Sequence, residues 1–178
     1  FVLENGDMIS VVASPLNASR FFRTIGIETN QVRNTMIIGG GKISFYLAKR
    51  LLEMGIQVKI VEKDRATCER LCEQLPKAMI INGDGTDRDL LTEEGLASAE
   101  GFAALTNMDE ENVMLSLYAK SMSKAKKITK VNRNTFDTII GSLGIGSLIY
   151  PKHITSETIL QYVRAMQNSI GSNVETLY

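Results

Sequence analysis

The sequence predicts an α/β protein: a Rossmann-like, doubly wound parallel sheet of six strands with helices on both faces. Three observations carry that prediction. Strand and helix signals alternate through residues 34–151. The strand segments read as short continuous apolar runs, as strands covered on both faces do. The first of them runs straight into Gly39-Gly40-Gly41 and then into a helical pattern, the context of a phosphate-binding loop.

The elements follow in order. Residues 35–39 are β-branched and apolar. A helix over 42–54 spaces Ile43, Leu47, Leu51 and Met54 along one face, and Gly55 closes it. Residues 57–61 form the second strand. Asp64 opens a helix over 64–75, which Pro76 stops. Residues 78–81 form a third strand, and "NGDGTDRD" is a turn in which Thr86 or Asp87 caps a helix reaching about Glu94. A buried strand over 101–106 precedes a helix over 110–122, with Val113, Met114, Leu117 and Tyr118 expected inward. A fifth strand (127–131), a helix (135–143) and a sixth strand (147–150) complete the alternation. The short basic cluster Lys124, Lys126 and Lys127 reads as the solvated end of a helix.

The flanks differ. Residues 1–29 suggest a strand in "DMISVVAS", a turn at Pro15 and a short amphipathic helix in "NASRFFRTIGI", too little to bury a core alone. A helix over 156–168 carries Ile159, Leu160, Val163 and Met166 as an apolar stripe. It is expected to pack on a second subunit or domain, with packing on its own sheet as the alternative. The opening at Phe1 and the close on "SNVETLY" suggest a segment of a longer protein.

Composition narrows the function. The 178 residues include 20 basic and 20 acidic side chains, so the formal net charge is zero, unlike the basic excess of a nucleic-acid binder. A hydrophobic fraction of 44% suits a packed core, and no apolar run approaches membrane-spanning length. Cys68 and Cys72 form C-x-x-x-C rather than the redox C-x-x-C, and read as ordinary reduced thiols. His153 is the single histidine, so neither a His-based zinc site nor a Ser-His-Asp triad is supported, and no metal site is expected.

The glycine loop is the chemical centre of the sequence. Gly39 permits the tight turn out of the first strand, and Gly41 lets main chain approach a pyrophosphate. The N–H groups near Lys42 and Ile43 then face phosphate along the helix dipole. Serine stands at position 44, where the third glycine of G-x-G-x-x-G serves helix–strand packing. Glu62, with Lys63 beside it, ends the second strand where an acid hydrogen-bonds ribose hydroxyls. An acid there disfavours a 2′-phosphate, so NAD(H) or an adenine nucleotide is preferred over NADP. The alternative for Glu62 is a solvated strand-end charge. Asp84 ends the third strand near the expected adenine, or else caps the next helix. Thr106 and Asn107 face the loop across the switch point. Lys130 on the fifth strand is placed to neutralise phosphate, or is a partly exposed edge lysine. No proton donor or acceptor pair is offered for redox chemistry: Tyr118 is followed by Ala119 and Lys120, which is the wrong spacing for Tyr-x-x-x-Lys.

"MIIGGGKISFYLAKRLLEMGIQVKIVEKD", "INGDGTDRDLLTEEGL", "FAALTNMDEENVMLSLYAK" and "GSLGIGSLIYPKHITSETILQYVR" together resemble the RCK (or KTN, TrkA-N) domains of TrkA-type potassium uptake regulators. The resemblance covers about residues 34–168. It implies that residues 1–29 are the tail of a preceding small C-terminal subdomain, 34–151 the nucleotide-binding domain, and 152–178 a crossover or dimerisation helix leading to the next small subdomain. It also implies a non-catalytic cytosolic regulator, peripheral on the inner face of the plasma membrane. Such a regulator binds NAD(H) first, or ATP/ADP, docks on a membrane potassium transporter or channel subunit, and forms a homo-dimer or larger ring through the 156–168 helix. On that match Gly39, Gly41, Lys42 and Ile43 hold phosphate, Glu62 the ribose and Asp84 the adenine region, while Thr106, Asn107 and Lys130 border the crevice. Ser44 and Lys130 stand where the family often has glycine and arginine, and a lysine cannot grip phosphate bidentately. Two other classes remain beside the sensor: an assembly module with an empty pocket, and a fragment of an NAD-dependent oxidoreductase.

Overall fold

The computed structural model describes residues 13–26, 31–133 and 137–171. It divides into two compact units, Phe1–Gln31 and Val32–Tyr178. In the first, helix α1 (Pro15–Thr24) starts from Ser14, whose hydroxyl accepts from the Asn17 N–H at 3.4 Å. The turn expected at Pro15 is therefore a helix start. Proline is harmless at the first helical position because its missing N–H would have no partner there. Most of the strand expected in "DMISVVAS" lies outside the described residues.

The second unit runs β1 (Asn34–Ile38), α2 (Lys42–Glu53), β2 (Gln57–Glu62), α3 (Arg65–Gln74), β3 (Met79–Asn82), α4 (Arg88–Glu93), β4 (Gly101–Ala104), α5 (Asp109–Met122), β5 (Lys126–Lys130), α6 (Asp137–Ser142), β6 (Ser147–Ile149) and α7 (Pro151–Gly171). Its sheet is parallel throughout, in the order β3-β2-β1-β4-β5-β6. The register places Ile37 opposite Ile60 on one side and Ala103 on the other. After β3 the chain crosses back to the far side of β1. The strand order therefore reverses between β1 and β4, and a crevice opens at their carboxyl ends. Met36, Ile38, Val61 and Phe102 bury one face of the sheet against Leu91, Leu96 and Leu115. Ile37, Val58, Ile60 and Ala103 bury the other against Ala48, Leu71 and Leu75.

Helix faces follow the apolar pattern in part: Leu47 and Leu51 of α2, and Val113, Leu117 and Tyr118 of α5, pack half-buried against the core, but the most buried positions lie beside them. On α2 the buried positions are Ser44 and Ala48, while Ile43 and Met54 are exposed. On α5 they include Asn112, Leu115, Ser116 and Ala119, and Met114 is 64% exposed. In both helices small residues are needed where the backbone approaches the strands closely, and size outranks hydrophobicity there. Thr129 of β5 shows the fit on α5, its hydroxyl donating to Ser116 Oγ at 2.7 Å inside the core. Lys126 and Lys127 begin β5 rather than ending a helix. Strand β5 is internal, because β6 pairs beyond it. Helix α7 starts at Pro151, earlier than expected, and Ile159, Leu160, Val163 and Met166 are 44–57% exposed along it. The stripe is thus not spent on the sheet of its own unit.

Candidate functional site

The crevice between β1 and β4 has a volume of about 340 Å³ and is lined from both sides of the strand reversal. Its floor is the glycine loop. Gly39 adopts φ +95°, a conformation side chains resist, and a Cβ there would lie 3.1 Å from the Thr106 main-chain N. The Gly39 N–H donates to the Val61 carbonyl at 2.9 Å, which ties the turn to β2. A Cβ on Gly41 would meet nothing within 4 Å, so the loop is open above that residue. Gly41 is the N-cap of α2 and has no side chain to cap the first turn. The N–H groups of that turn are therefore free of a side-chain cap, and the positive end of the helix dipole meets the crevice. Gly40, which the spacing argument passes over, is the most crowded of the three. A Cβ there would sit 2.8 Å from Leu71 Cδ1 and 3.0 Å from Glu62 Cγ.

Glu62 lines the crevice from the end of β2. Its carboxylate accepts the Gly40 N–H at 2.6 Å on Oε2 and the Asp64 N–H at 2.8 Å on Oε1. It is therefore more than a solvated strand-end charge: it clamps the glycine loop to the β2–α3 turn. Asn82 supports the same corner by donating to the Glu62 and Lys63 carbonyls at 3.1 and 3.0 Å. Asp64 caps α3, accepting the Thr67 N–H at 2.8 Å.

Asp84 lines the crevice beyond Glu62. The Thr86 N–H and hydroxyl both donate to its Oδ1, at 2.8 and 2.7 Å, and hold the carboxyl below its ordinary range, with the Lys63 charge adding to the effect. Asp84 does not cap α4; Asp87 does, accepting from the Asp89 and Leu90 N–H groups. Arg70 of α3 also lines this side, a residue that no loop or strand-end motif identifies.

The opposite wall is built differently. Thr106, Asn107 and Met108 follow β4, and Glu111 projects from α5. Asn112, fully buried, accepts the Thr106 N–H at 2.9 Å and the Thr106 hydroxyl at 2.8 Å. It donates to the carbonyls of Thr106 and Lys130 at 3.2 and 3.0 Å. One side chain thus joins the carboxyl ends of β4 and β5. Asp109, in the first turn of α5, accepts the main-chain N–H groups of Asn132 and Arg133 at 2.9 and 3.0 Å. Burial pushes its carboxyl up, but these donors and the Arg133 charge outweigh that and leave it below the ordinary value.

Lys130 is only 6% exposed, so it is neither an edge residue nor part of the crevice lining. Burial pushes its ammonium down in pKa, and the charge of Asp109 opposes that shift. Its Nζ donates to Asn107 Oδ1 at 3.5 Å. The side chains of Lys42 and Ile43 are likewise outside the lining, exposed on the first turn of α2. The structure thus brings Gly39, Gly41, Glu62, Lys63, Asp84, Thr106 and Asn107 around one crevice, with Lys130 behind it. Ser44 is fully buried beneath the loop, and among the described residues its hydroxyl has no hydrogen-bond partner. A second cavity, about 490 Å³, lies at the amino-terminal end of the sheet around the Lys59–Glu94 ion pair, away from any glycine loop. Among the described residues no cluster of acidic, histidine and cysteine side chains is arranged to hold a metal ion.

Strand order, glycine turn and an acid at the end of β2 define a Rossmann-type domain. Residues 35–151 match the TrkA-N domain, and the chain belongs to that family. It is 31% identical over 163 residues to the Trk system potassium uptake protein TrkA of Haemophilus influenzae, covering 92% of this chain and 35% of that protein. It is 34% identical over 167 residues to the TrkA of Vibrio alginolyticus, covering 92% of this chain and again 35% of the relative. The chain therefore spans about a third of the length of these relatives. Among solved structures, the TrkA-N domain of the inner membrane protein ybaL from Escherichia coli superposes with a TM-score of 0.66 at 15% identity, over 75% of this chain and 98% of that one. The GsuK channel bound to NAD superposes with a TM-score of 0.57 at 19% identity, over 76% of this chain and 25% of that one. These structural likenesses carry the fold.

Proposed function

We propose that this chain is the nucleotide-binding regulatory module of a potassium uptake system. In this reading it binds NAD(H), or in second place ATP or ADP, in the β1/β4 crevice and regulates a membrane potassium transporter or channel from the cytoplasmic side. The observation that carries the proposal is the glycine turn and Glu62 locked together at the floor of the crevice. The relatives' names and the NAD-bound channel support the assignment. Gly39, Gly41 and the main chain of Lys42 and Ile43 take the phosphates. Glu62 and Lys63 take the ribose, Asp84 the adenine region, and Thr106 and Asn107 the far side, with Lys130 behind them.

The reading is non-catalytic, and the mechanism is a population shift. Two nucleotides, or two redox forms, bind two conformations of the assembled protein with different affinity, and the difference moves the attached pore. Assembly as a homo-dimer or ring runs through the exposed stripe of α7. Calorimetric titration of NADH, NAD and ATP into the chain tests the ligand step. Binding that weakens in Glu62→Ala supports it. No heat with any of the three, in wild type and variant alike, leaves an assembly module with an empty pocket.

A further inference from the structure

The buried lysine behind the crevice carries an inference about ligand chemistry, which rests on the nucleotide reading above. A lysine ammonium can only donate hydrogen bonds, whereas a carboxamide has one face that accepts and one that donates. Lys130 Nζ reaches Asn107 from inside the protein at 3.5 Å. The face of Asn107 turned towards it is therefore its oxygen, and its NH2 group is turned the other way. Asn107 lines the crevice and is exposed there.

Lys130 has little freedom to do otherwise. It is 6% exposed, its own carbonyl is held by Asn112, and the nearby Asp109 carboxylate is engaged by Asn132 and Arg133. Asn107 also follows Thr106 directly, and the Thr106 N lies 3.1 Å from where a Gly39 Cβ would stand. This is the turn of the phosphate-facing loop. Glu62 and Asp84 lie on the other side of β1, at the ends of β2 and β3.

We infer that Asn107 is a specificity-determining residue that presents its NH2 group to the phosphate oxygens of the ligand, and that Lys130 is the positioning residue that fixes its orientation. The lysine thus acts on phosphate through an amide, which a lysine can do without the bidentate grip of an arginine.

The test is calorimetry on the chain with adenosine, AMP, ADP and NAD+ as probes. Asn107→Asp keeps a partner for Lys130 but turns a carboxylate to the crevice. It is expected to weaken AMP, ADP and NAD+ about 30-fold while changing adenosine less than about threefold. Lys130→Met releases the amide and is expected to weaken the phosphorylated probes about fivefold, and Lys130→Arg, again donor-only, to restore most of that loss. Unchanged binding of the phosphorylated probes by Asn107→Asp, or an equal loss for adenosine, overturns the inference while leaving the nucleotide reading intact. If wild type binds none of the four, the nucleotide reading fails and the inference falls with it.

Discussion

The two walls of the crevice are held by opposite strategies. On the β2/β3 side local turns (Thr86 on Asp84, Thr67 on Asp64, Asp64 on Glu62) are joined to the longer ties of Gly40 and Asn82 to Glu62, all of them exposed or only half-buried. Much of that wall is exposed. On the β4/β5 side Asn112 reaches Lys130, 18 residues away, and Asp109 reaches Asn132 and Arg133, 23 and 24 residues away, with both acceptor residues buried. A local turn can form, break and reform without disturbing the sheet. A buried brace between two strands is lost only with the packing around it. On the proposed nucleotide reading, the first wall can adjust to a ligand, while the second is the braced frame from which Thr106 and Asn107 meet it.

Paired truncations test that contrast most strongly. Asn112→Ala leaves the buried Lys130 carbonyl and the half-buried Thr106 N–H and carbonyl without their partner and is expected to cost about 3 kcal/mol. The parallel change on the other wall, Asn82→Ala, is expected to cost about 1 kcal/mol, because water replaces its bonds. Urea unfolding of both variants measures the difference, and equal losses would remove the distinction between the walls.

The glycine loop gives the next effect. In Gly40→Ala the new methyl meets Leu71, Glu62 and Thr67 and is expected to cost about 2 kcal/mol. Gly41→Ala meets nothing and is expected to leave stability within about 0.5 kcal/mol. A thermal melt separates them, and titration with nucleotide then shows whether the open space above Gly41 is used.

Acid should loosen the two walls unequally. Asp109 and Asp84 both have carboxyls held below their ordinary value in the folded protein. A depressed carboxylate contributes stability that is present above its unfolded value and lost as pH falls through its folded value. Stability is thus expected to drop on acidification below about pH 4. Asp109→Asn should flatten that part of the profile more than Asp84→Asn, because Asp109 is buried and bridges two elements. Denaturation midpoints across pH 2–6 check the order.

The smallest effect lies beneath the loop. Ser44→Ala removes a buried hydroxyl without a hydrogen-bond partner among the described residues and is expected to stabilise by about 0.5–1 kcal/mol, read in the same urea assay. A loss instead would show that the hydroxyl is used.

Glu62, Asp84 and the glycine turn were legible in the sequence because each sits at a strand end marked by apolar run, turn residue and helix start. Asn112 and Asp109 were not. Both lie inside "TNMDEENVML", where a polar run at a helix start reads as a solvated first turn. Only the return of β5 alongside β4 gives them partners. Arg70 and Glu111 were missed for a related reason. Each is one exposed charge on a helix, and its place in the crevice depends on how that helix packs on the sheet.

The sequence alone determined the alternation of elements, the parallel sheet, the loop that faces the crevice and the family, since these follow from local pattern and short motifs. Tertiary structure decided which helix faces are buried, that Lys130 lies behind the crevice rather than in it, and which residues brace its far wall. Those outcomes depend on contacts between segments distant in the chain. There the space left by close-packed backbones and the need to pair every buried polar group override the preferences of single residues.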